Sequence, residues 1–299
     1  MESVLTIIMA GGAGERLQPL TRERAKAAVP FGGKYRLIDL TLSNCVNSGL
    51  RQVFVLTQYR SGSLNQHIQD GWGISGSGLG DFIYSVPAQQ KLGADWYRGT
   101  ADAVRQNLDL IDRKKVEHVL ILSGDHVYKM NYSQFLGYHK KRKADITICA
   151  VRATKGEAAG RLGVLETDNR NRLVGFQEKP ADPRTMPEAP DHVLASMGVY
   201  LFRTEVLREA LRQSGDDFGK EIIPGLIGGD VGVFVYDYEK ENAIEDYVVE
   251  VQEGKRKRVL TGRTRDSSYW RDVGTIDSYY EANMDLVGIE PIFSFYGEK

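Results

Sequence analysis

The residues best able to do chemistry begin at Gly11-Gly12-Ala13-Gly14-Glu15-Arg16-Leu17, directly after the short apolar run Val4 to Ala10. Glycines at such a place let backbone N–H groups approach an anion, and Arg16 adds a rigid guanidinium fork. The same residues would also make a tight turn carrying a surface arginine. No Walker loop is present, because Gly32-Gly33-Lys34 is followed by Tyr35 and lacks the upstream glycine. As a dinucleotide fingerprint the first loop fails at Leu17, where the third glycine belongs. Further along lie Lys26, Lys34 and Arg36, so that with Arg16 four basic side chains sit on one glycine-containing stretch. That concentration suits a polyphosphate, or else a solvated charged loop.

Two aspartates are placed for a metal. Asp125 follows the apolar run Val119 to Leu122 and the breaker Ser123-Gly124, where open α/β sheets hold ligands. Asp272 lies in Trp270-Arg271-Asp272-Val273-Gly274-Thr275. Mg²⁺ often takes one or two carboxylates and fills its remaining positions with phosphate and water, so two suffice. Each aspartate would serve equally as a cap or turn residue, and spacing alone does not bring them together. Glu178-Lys179-Pro180 offers a carboxylate for sugar hydroxyls and an ammonium for a phosphate. Tyr97, Arg98, Gly163, Ser196 and Tyr200 are polar or permissive residues near strand or loop ends, each as compatible with structure as with function.

The elements that must position these residues follow from apolar periodicity. Val4–Ala10, Val53–Thr57, Val119–Leu122 and Ile146–Val151 read as buried strands. Ile38, Leu42, Cys45, Val46 and Leu50 recur at helical spacing and stop at Asn47-Ser48-Gly49. Ala101 to Lys115 and Tyr132 to Lys143 are helix-like, whereas 61–93 is rich in glycine and reads as long loops. The alternation up to about residue 151 predicts an α/β fold, a mostly parallel central sheet with helices on both faces. Beyond it a hairpin around Asp168-Asn169, strands at 197–202 and 231–238, and helical segments near 205–213 and 219–227 are expected.

Composition excludes several classes. Across 299 residues, 39 Lys+Arg against 40 Asp+Glu leave a net charge of −1, which offers no global field for nucleic acid or an anionic membrane. Two cysteines, Cys45 and Cys149, make no disulfide scaffold. No apolar run approaches the ~18 residues of a transmembrane helix, and the opening segment is too short for a typical signal peptide, so a cytoplasmic protein is expected. The basic runs Lys140–Lys143 and Lys255–Arg258 read as a solvated helix end and hairpin, and the five histidines show no metal spacing.

Taken together the motifs resemble the bacterial ADP-glucose pyrophosphorylases (glucose-1-phosphate adenylyltransferases) of the sugar-nucleotidyltransferase superfamily. The resemblance runs over essentially the whole chain: Ala10–Leu20, Arg24–Gly49, Val86–Gln90, Trp96–Val104, Ser123–Tyr128, Gln177–Pro180, Ser196–Tyr200, Asp217–Lys220 and Tyr269–Thr275. It implies a Rossmann-like nucleotide-diphospho-sugar transferase fold forming a single catalytic domain over 1–299. The implied reaction is ATP plus α-D-glucose 1-phosphate giving ADP-glucose and pyrophosphate, Mg²⁺-dependent, for glycogen or related α-glucan synthesis. By the same resemblance Arg16, Lys26 and Asp125 are catalytic, and Gly11, Gly12, Gly14, Gln89 and Gln90 bind ATP. Tyr97, Gly163, Glu178, Lys179, Ser196 and Asp217 line the glucose 1-phosphate site, Asp125 and Asp272 carry the metal, and Gln58 and Trp96 couple regulation to ATP binding.

Two departures accompany it. The family usually has Lys-Pro-Ala-Val-Pro where this chain has Lys26-Ala27-Ala28-Val29-Pro30, which frees the φ angle at 27 and predicts a less pre-organised lysine. Family members generally continue into a C-terminal left-handed β-helix that shares in tetramer and activator contacts, and no hexapeptide repeat follows here. Arg24, Arg36 and Arg113 match regulatory basic positions, while Glu23 stands where some members carry lysine.

Overall fold

A computed structural model describes residues 4–73, 80–89, 96–252, 254–289 and 291–295. In its first part the chain forms β1 (Val4–Ala10), the small ladder β2 (Pro30–Phe31) and β3 (Tyr35–Arg36), α1 (Leu37–Asn47), β4 (Gln52–Thr57), α2 (Gly62–Trp72) and β5 (Phe82–Pro87). Next come α3 (Thr100–Arg105), α4 (Leu108–Lys114), β6 (His118–Ser123), the short β7 (His126–Tyr128), α5 (Tyr132–Arg142) and β8 (Ile146–Thr154). The remainder holds α6 (Lys155–Ala158), β9 (Val164–Thr167), β10 (Leu173–Gln177), β11 (His192–Arg203), α7 (Thr204–Arg212), α8 (Ile223–Leu226), β12 (Val233–Asp237), α9 (Tyr238–Glu241), β13 (Asp246–Gln252), β14 (Lys255–Thr261), β15 (Trp270–Asp272) and α10 (Ile276–Met284).

Strands β6, β1, β4 and β5 lie parallel and adjacent, so their carboxyl ends share one edge. The long β11 reverses the sense: its second half pairs antiparallel with β6 and its first half with β9, while β8 runs along its other side and β12 adds parallel to β8. Among the described residues this makes a mixed sheet of nine strands, parallel through its centre. Both faces are covered because neighbouring residues of each strand point to opposite sides. Ile8, Val55 and Leu122 pack with Ile38, Leu42 and Phe135 of α1 and α5, whereas Ile7, Phe54 and Ile121 pack with Val104, Ile111 and Leu207 of α3, α4 and α7. A third cluster of Val29, Phe31, Leu37, Val127, Tyr269, Val273 and Ala282 lies under the ladder formed by β7 and β15.

Where α1 ends the sequence reading holds in detail: Gly49 takes φ +75°, and the Gly49 and Leu50 N–H groups donate to the Val46 and Cys45 carbonyls. Residues 61–93 depart from it. Instead of loops only, α2 and the edge strand β5 form there. Helix α2 buries just Leu64 and Ile68, one turn apart, and β5 buries Phe82 and Ile83 near its start, so neither carries a long apolar pattern. The expected helix 101–115 is divided into α3 and α4, because the Asn107 side chain donates to the Ala103 carbonyl and the Tyr97 hydroxyl at the break. No helix among the described residues is long and apolar enough to cross a membrane.

Candidate active site

The glycine loop leaves the carboxyl end of β1 beside the ends of β4 and β6. Gly14 adopts φ +65°, and a Cβ there would lie 2.9 Å from Thr21 Cγ2 and 3.1 Å from Lys26 Cβ. Only glycine lets the loop fold this closely onto the lysine segment, and the Thr21 hydroxyl locks it by donating to the Gly14 carbonyl at 2.8 Å. Gly12 faces open space, and Gly11 rests against Gln58.

Lys26 follows in a single 3₁₀ turn with Ala27 and Ala28 buried behind it, so its side chain is directed across the sheet edge. Its ammonium donates to Asp125 Oδ2 at 2.8 Å and to Asp272 Oδ1 at 3.5 Å. Asp125 arrives from the turn after β6, where the Gly124 N–H donates to the Met9 carbonyl. A Cβ on Gly124 would stand 2.8 Å from Ile38 and 2.9 Å from Ile8, so the turn is pressed into the core. Asp272 arrives 147 residues later because β15 pairs antiparallel with β7, setting Asp272 opposite His126. Alternation along β15 sends Arg271 to the other side, where it binds Asp285 at 3.1 Å.

The three charges hold one another. Burial opposes ionisation of Asp125, but Lys26 and then His126, with hydrogen bonds from Lys26 and the Ser123 hydroxyl, outweigh it and keep the carboxyl well below the usual carboxylate range. Burial likewise opposes the charge on Lys26, and Asp125 and Asp272 overcome it and raise its pKa. His126 lies 3.8 Å from each carboxylate. Its Nδ1 donates to the Met197 carbonyl at 3.1 Å, and its ring meets Trp270 edge-on.

The single Lys26 ammonium offsets only one of the two carboxylate charges, so their hard oxygens still suit a divalent cation. Among the described residues no group of three or more His, Cys, Asp or Glu gathers, so such a cation would need substrate oxygens and water to complete its shell. Arg16 stands close by: a Cβ on Gly274 would lie 3.0 Å from Asp272 Oδ2 and 3.3 Å from the Arg16 guanidinium. The expected four-cation cluster is therefore smaller than the sequence suggested. Arg36 caps α1 and donates to the Ser63 carbonyl at 2.7 Å, and Lys34 is exposed in the β2–β3 turn.

The second group of candidates gathers next to the first. Gly198, at φ +65° in a bulge of β11, sits 3.5 Å (from a Cβ position) from Ser123 and carries the strand over the Asp125 turn. Beside it the Ser196 and Tyr200 hydroxyls lie 3.4 Å apart. Cβ atoms on Gly163 and Gly219 would lie 3.1 and 2.8 Å from Glu178 Oε2, so two bare backbones flank that carboxylate. Lys179, at φ 46°, pairs with Glu178 at 2.8 Å and is otherwise exposed. Asp217 is engaged locally: it accepts from the Thr100 hydroxyl and from the Gly219 and Lys220 N–H groups. Thr100 and Asn107 were not foreseen; Asn107 holds the Tyr97 hydroxyl at 2.8 Å.

Gln58 and Tyr97 exchange hydrogen bonds, the Tyr97 N–H to Gln58 Oε1 at 3.0 Å and Gln58 Nε2 to the Tyr97 carbonyl at 3.4 Å. Trp96, 54% exposed, is thereby tied to the residue behind Gly11. Gln89 is exposed just past β5, and Gln90 lies outside the described residues.

A glycine loop, a lysine and two aspartates converging at the carboxyl ends of parallel strands are chemically suited to holding phosphate, at the edge where open α/β sheets bind ligands. Residues 5–288 match the sequence pattern described as nucleotidyl transferase, and the chain belongs to that family. The chain is 48% identical to a glucose-1-phosphate adenylyltransferase of Methylococcus capsulatus over 99% of its own length and 66% of that protein's. It is 48% identical to the protein of that name from Rhodopirellula baltica (100% and 64%) and 47% identical to glucose-1-phosphate adenylyltransferase 2 of Vibrio cholerae (99% and 69%). The chain thus spans about two thirds of the length of the curated relatives it matches.

Proposed function

We propose that this chain transfers an adenylyl group from ATP to α-D-glucose 1-phosphate, releasing pyrophosphate and forming ADP-glucose for glycogen or a related α-glucan, in the cytoplasm. The observation that carries the reading is the convergence of Lys26, Asp125 and Asp272, from three distant segments, beneath a glycine loop and beside Arg16. The names of the relatives supply the substrates.

A phosphate oxygen of the sugar phosphate attacks the α-phosphorus of ATP in line; the bond to the β-phosphate oxygen breaks, and pyrophosphate departs with the electron pair. Such a transfer needs alignment and charge neutralisation more than a covalent group. Gly11, Gly12, Gly14 and Arg16 hold the β,γ-phosphates and the leaving pyrophosphate. Lys26 exchanges part of its pairing with Asp125 for the α-phosphate. Asp125 and Asp272 hold Mg²⁺, which when bound neutralises charge on the phosphates. Gln89 and Gln90 read adenine, while Tyr97, Gly163, Glu178, Lys179, Ser196 and Asp217 enclose the sugar phosphate, Asp217 by fixing the Gly219 backbone beside Glu178. Gln58 relays the position of Trp96 to the phosphate loop.

The test is to incubate the chain with Mg²⁺ and glucose 1-phosphate plus ATP, UTP, dTTP or GTP in turn and to quantify the sugar nucleotide. Product mainly from ATP is expected. Product mainly from another nucleotide would replace the adenylyl reading with a related transfer, and no product from any would overturn the assignment of turnover to this chain.

A further inference from the structure

Strands β13 and β14 form a two-stranded ladder that joins no other described strand, with Asp246 opposite Thr261 at its base and Gln252 opposite Lys255 at its tip. None of its described residues enters the three apolar clusters of the body. Isolated two-stranded ribbons are marginal in water, and this one also exposes Tyr247, Val251 and Leu260 by 41, 71 and 48%. Paired residues share a face, so Tyr247 with Leu260 and Val251 with Arg256 present one apolar and basic side, over which Arg258 lies 5.3 Å from the Tyr247 ring.

The two outer edges differ, and on β13 the Tyr247 N–H is held by Asp246 Oδ1 at 2.7 Å, a bond that strand pairing would exchange for an inter-strand one. Strand β14 carries Lys255-Arg256-Lys257-Arg258, the kind of run that blunts an edge against further pairing. Strand β13 reads Asp-Tyr-Val-Val-Glu-Val-Gln, rich in β-forming residues with its two charges well separated. Laid antiparallel on a second copy of itself about a two-fold axis at Val249, it sets Tyr247 against Val251, Val248 against Glu250 and Asp246 against Gln252, with no like charges opposed. The same operation on β14 sets Arg258 against Arg258 and brings the two basic runs onto adjacent strands, whereas pairing through β13 keeps them on the outer strands.

We propose that the β13–β14 hairpin is a dimerisation arm, and that its β13 edge pairs with β13 of a second copy of this chain to give a four-stranded, two-fold-symmetric sheet. Seven residues of edge plus three exposed apolar side chains bury less than the ~1,000 Å² of a permanent interface, so the dimer is concentration-dependent, in the micromolar range.

Sedimentation velocity from about 1 to 100 μM tests this on the full chain and three variants. One variant, Tyr247→Lys with Val251→Lys, puts charge on the pairing face. A second joins Glu245 to Gly262 through two glycines and removes the hairpin at its closed base. A third, Lys255→Glu with Lys257→Glu, alters only the basic strand. The full chain and the third variant dimerise, while the first two stay monomeric or weaken association at least tenfold, with unchanged far-UV circular dichroism. A full chain that is monomeric throughout overturns the proposal, as does a dimer that survives removal of the hairpin. A monomer retained on heparin through Lys255–Arg258 would make the hairpin a polyanion contact instead. Species growing beyond the dimer would indicate head-to-tail pairing of β13 with β14 and likewise refute the two-fold arrangement.

Discussion

Lowering the pH from 7 to 4.5 is expected to destabilise this fold through buried His139 and its half-buried neighbour His118, which opens β6 at the end opposite Asp125. His139 of α5 is 2% exposed; its Nδ1 meets the Thr147 hydroxyl at 2.7 Å, and its Nε2 has no partner among the described residues. The ring stands edge-on to His118 with centroids 5.2 Å apart. Burial, then the neighbouring His118, with Arg203 adding and Asp145 opposing, pushes the His139 pKa down from 6.5 to about 4. The folded state therefore refuses a proton that the unfolded state accepts between these values. Stability contributed by neutral His139 is complete above about pH 6.5 and is lost as pH falls toward 4, at about 1.4 kcal/mol per pH unit, or about 3 kcal/mol in all. For a domain of this size that is a fall in Tm of about 6–12 °C. Burial lowers His118 as well, which adds in the same direction. Carboxylates such as Asp125, whose pKa is depressed, act lower, as pH drops below about 4, so the two windows separate. Thermal unfolding followed by circular dichroism from pH 4.5 to 7.5 reads the slope directly. In His139→Asn, whose amide occupies the place of Nδ1, the slope should flatten by about one proton even if absolute stability falls. A variant slope equal to that of the parent would refute the reasoning.

Three further outcomes follow from the site. Asp272→Asn should lower kcat by about 10²-fold with little change in Tm, because Lys26 keeps its 2.8 Å contact with Asp125; an unchanged rate would take Asp272 out of the charge-neutralising set. Gly14→Ala should cost about 1–2 kcal/mol of backbone strain at φ +65° and displace Lys26, seen as a lower Tm together with a reduced kcat/KM; a variant equal to the parent in both would mean the close approach is dispensable. In the 3₁₀ turn, the Ala28 and Val29 N–H groups close the bonds and the Ala27 N–H does not. Ala27→Pro should therefore add up to about 1 kcal/mol and raise kcat/KM a few-fold by fixing Lys26, and steady-state kinetics showing no gain in rate would count against pre-organisation by the family proline.

Much of the frame was legible in the chain itself. Strands β1 and β6 and helix α1 are coded by contiguous or regularly spaced apolar residues, a local signal that needs no partner to be read. The glycine loop was legible too, because a left-handed φ at Gly14 is a property of one residue. Helix α2 and strand β5 were hidden for the opposite reason: each buries two side chains, and their places come from docking on α1 and β4 rather than from a pattern of their own. The break between α3 and α4 depends on Asn107 finding the Tyr97 hydroxyl, which no periodicity announces.

Residue types and their order along the chain determined by themselves that this is an α/β protein with a glycine loop, scattered carboxylates and basic residues suited to phosphate, since these are properties of short segments. Tertiary structure alone decided which of them meet. Asp272 reaches Asp125 only because β15 pairs with β7 in a register that puts it opposite His126, and a slip by one residue would have turned Arg271 inward instead. Arg36, equal to Lys26 on paper, is drawn to a carbonyl of α2, while Lys26 is left as the cation between two carboxylates. Charge over a few ångströms, not charge along the sequence, sets the chemistry, and those few ångströms come from sheet pairing between segments that the chain order keeps far apart.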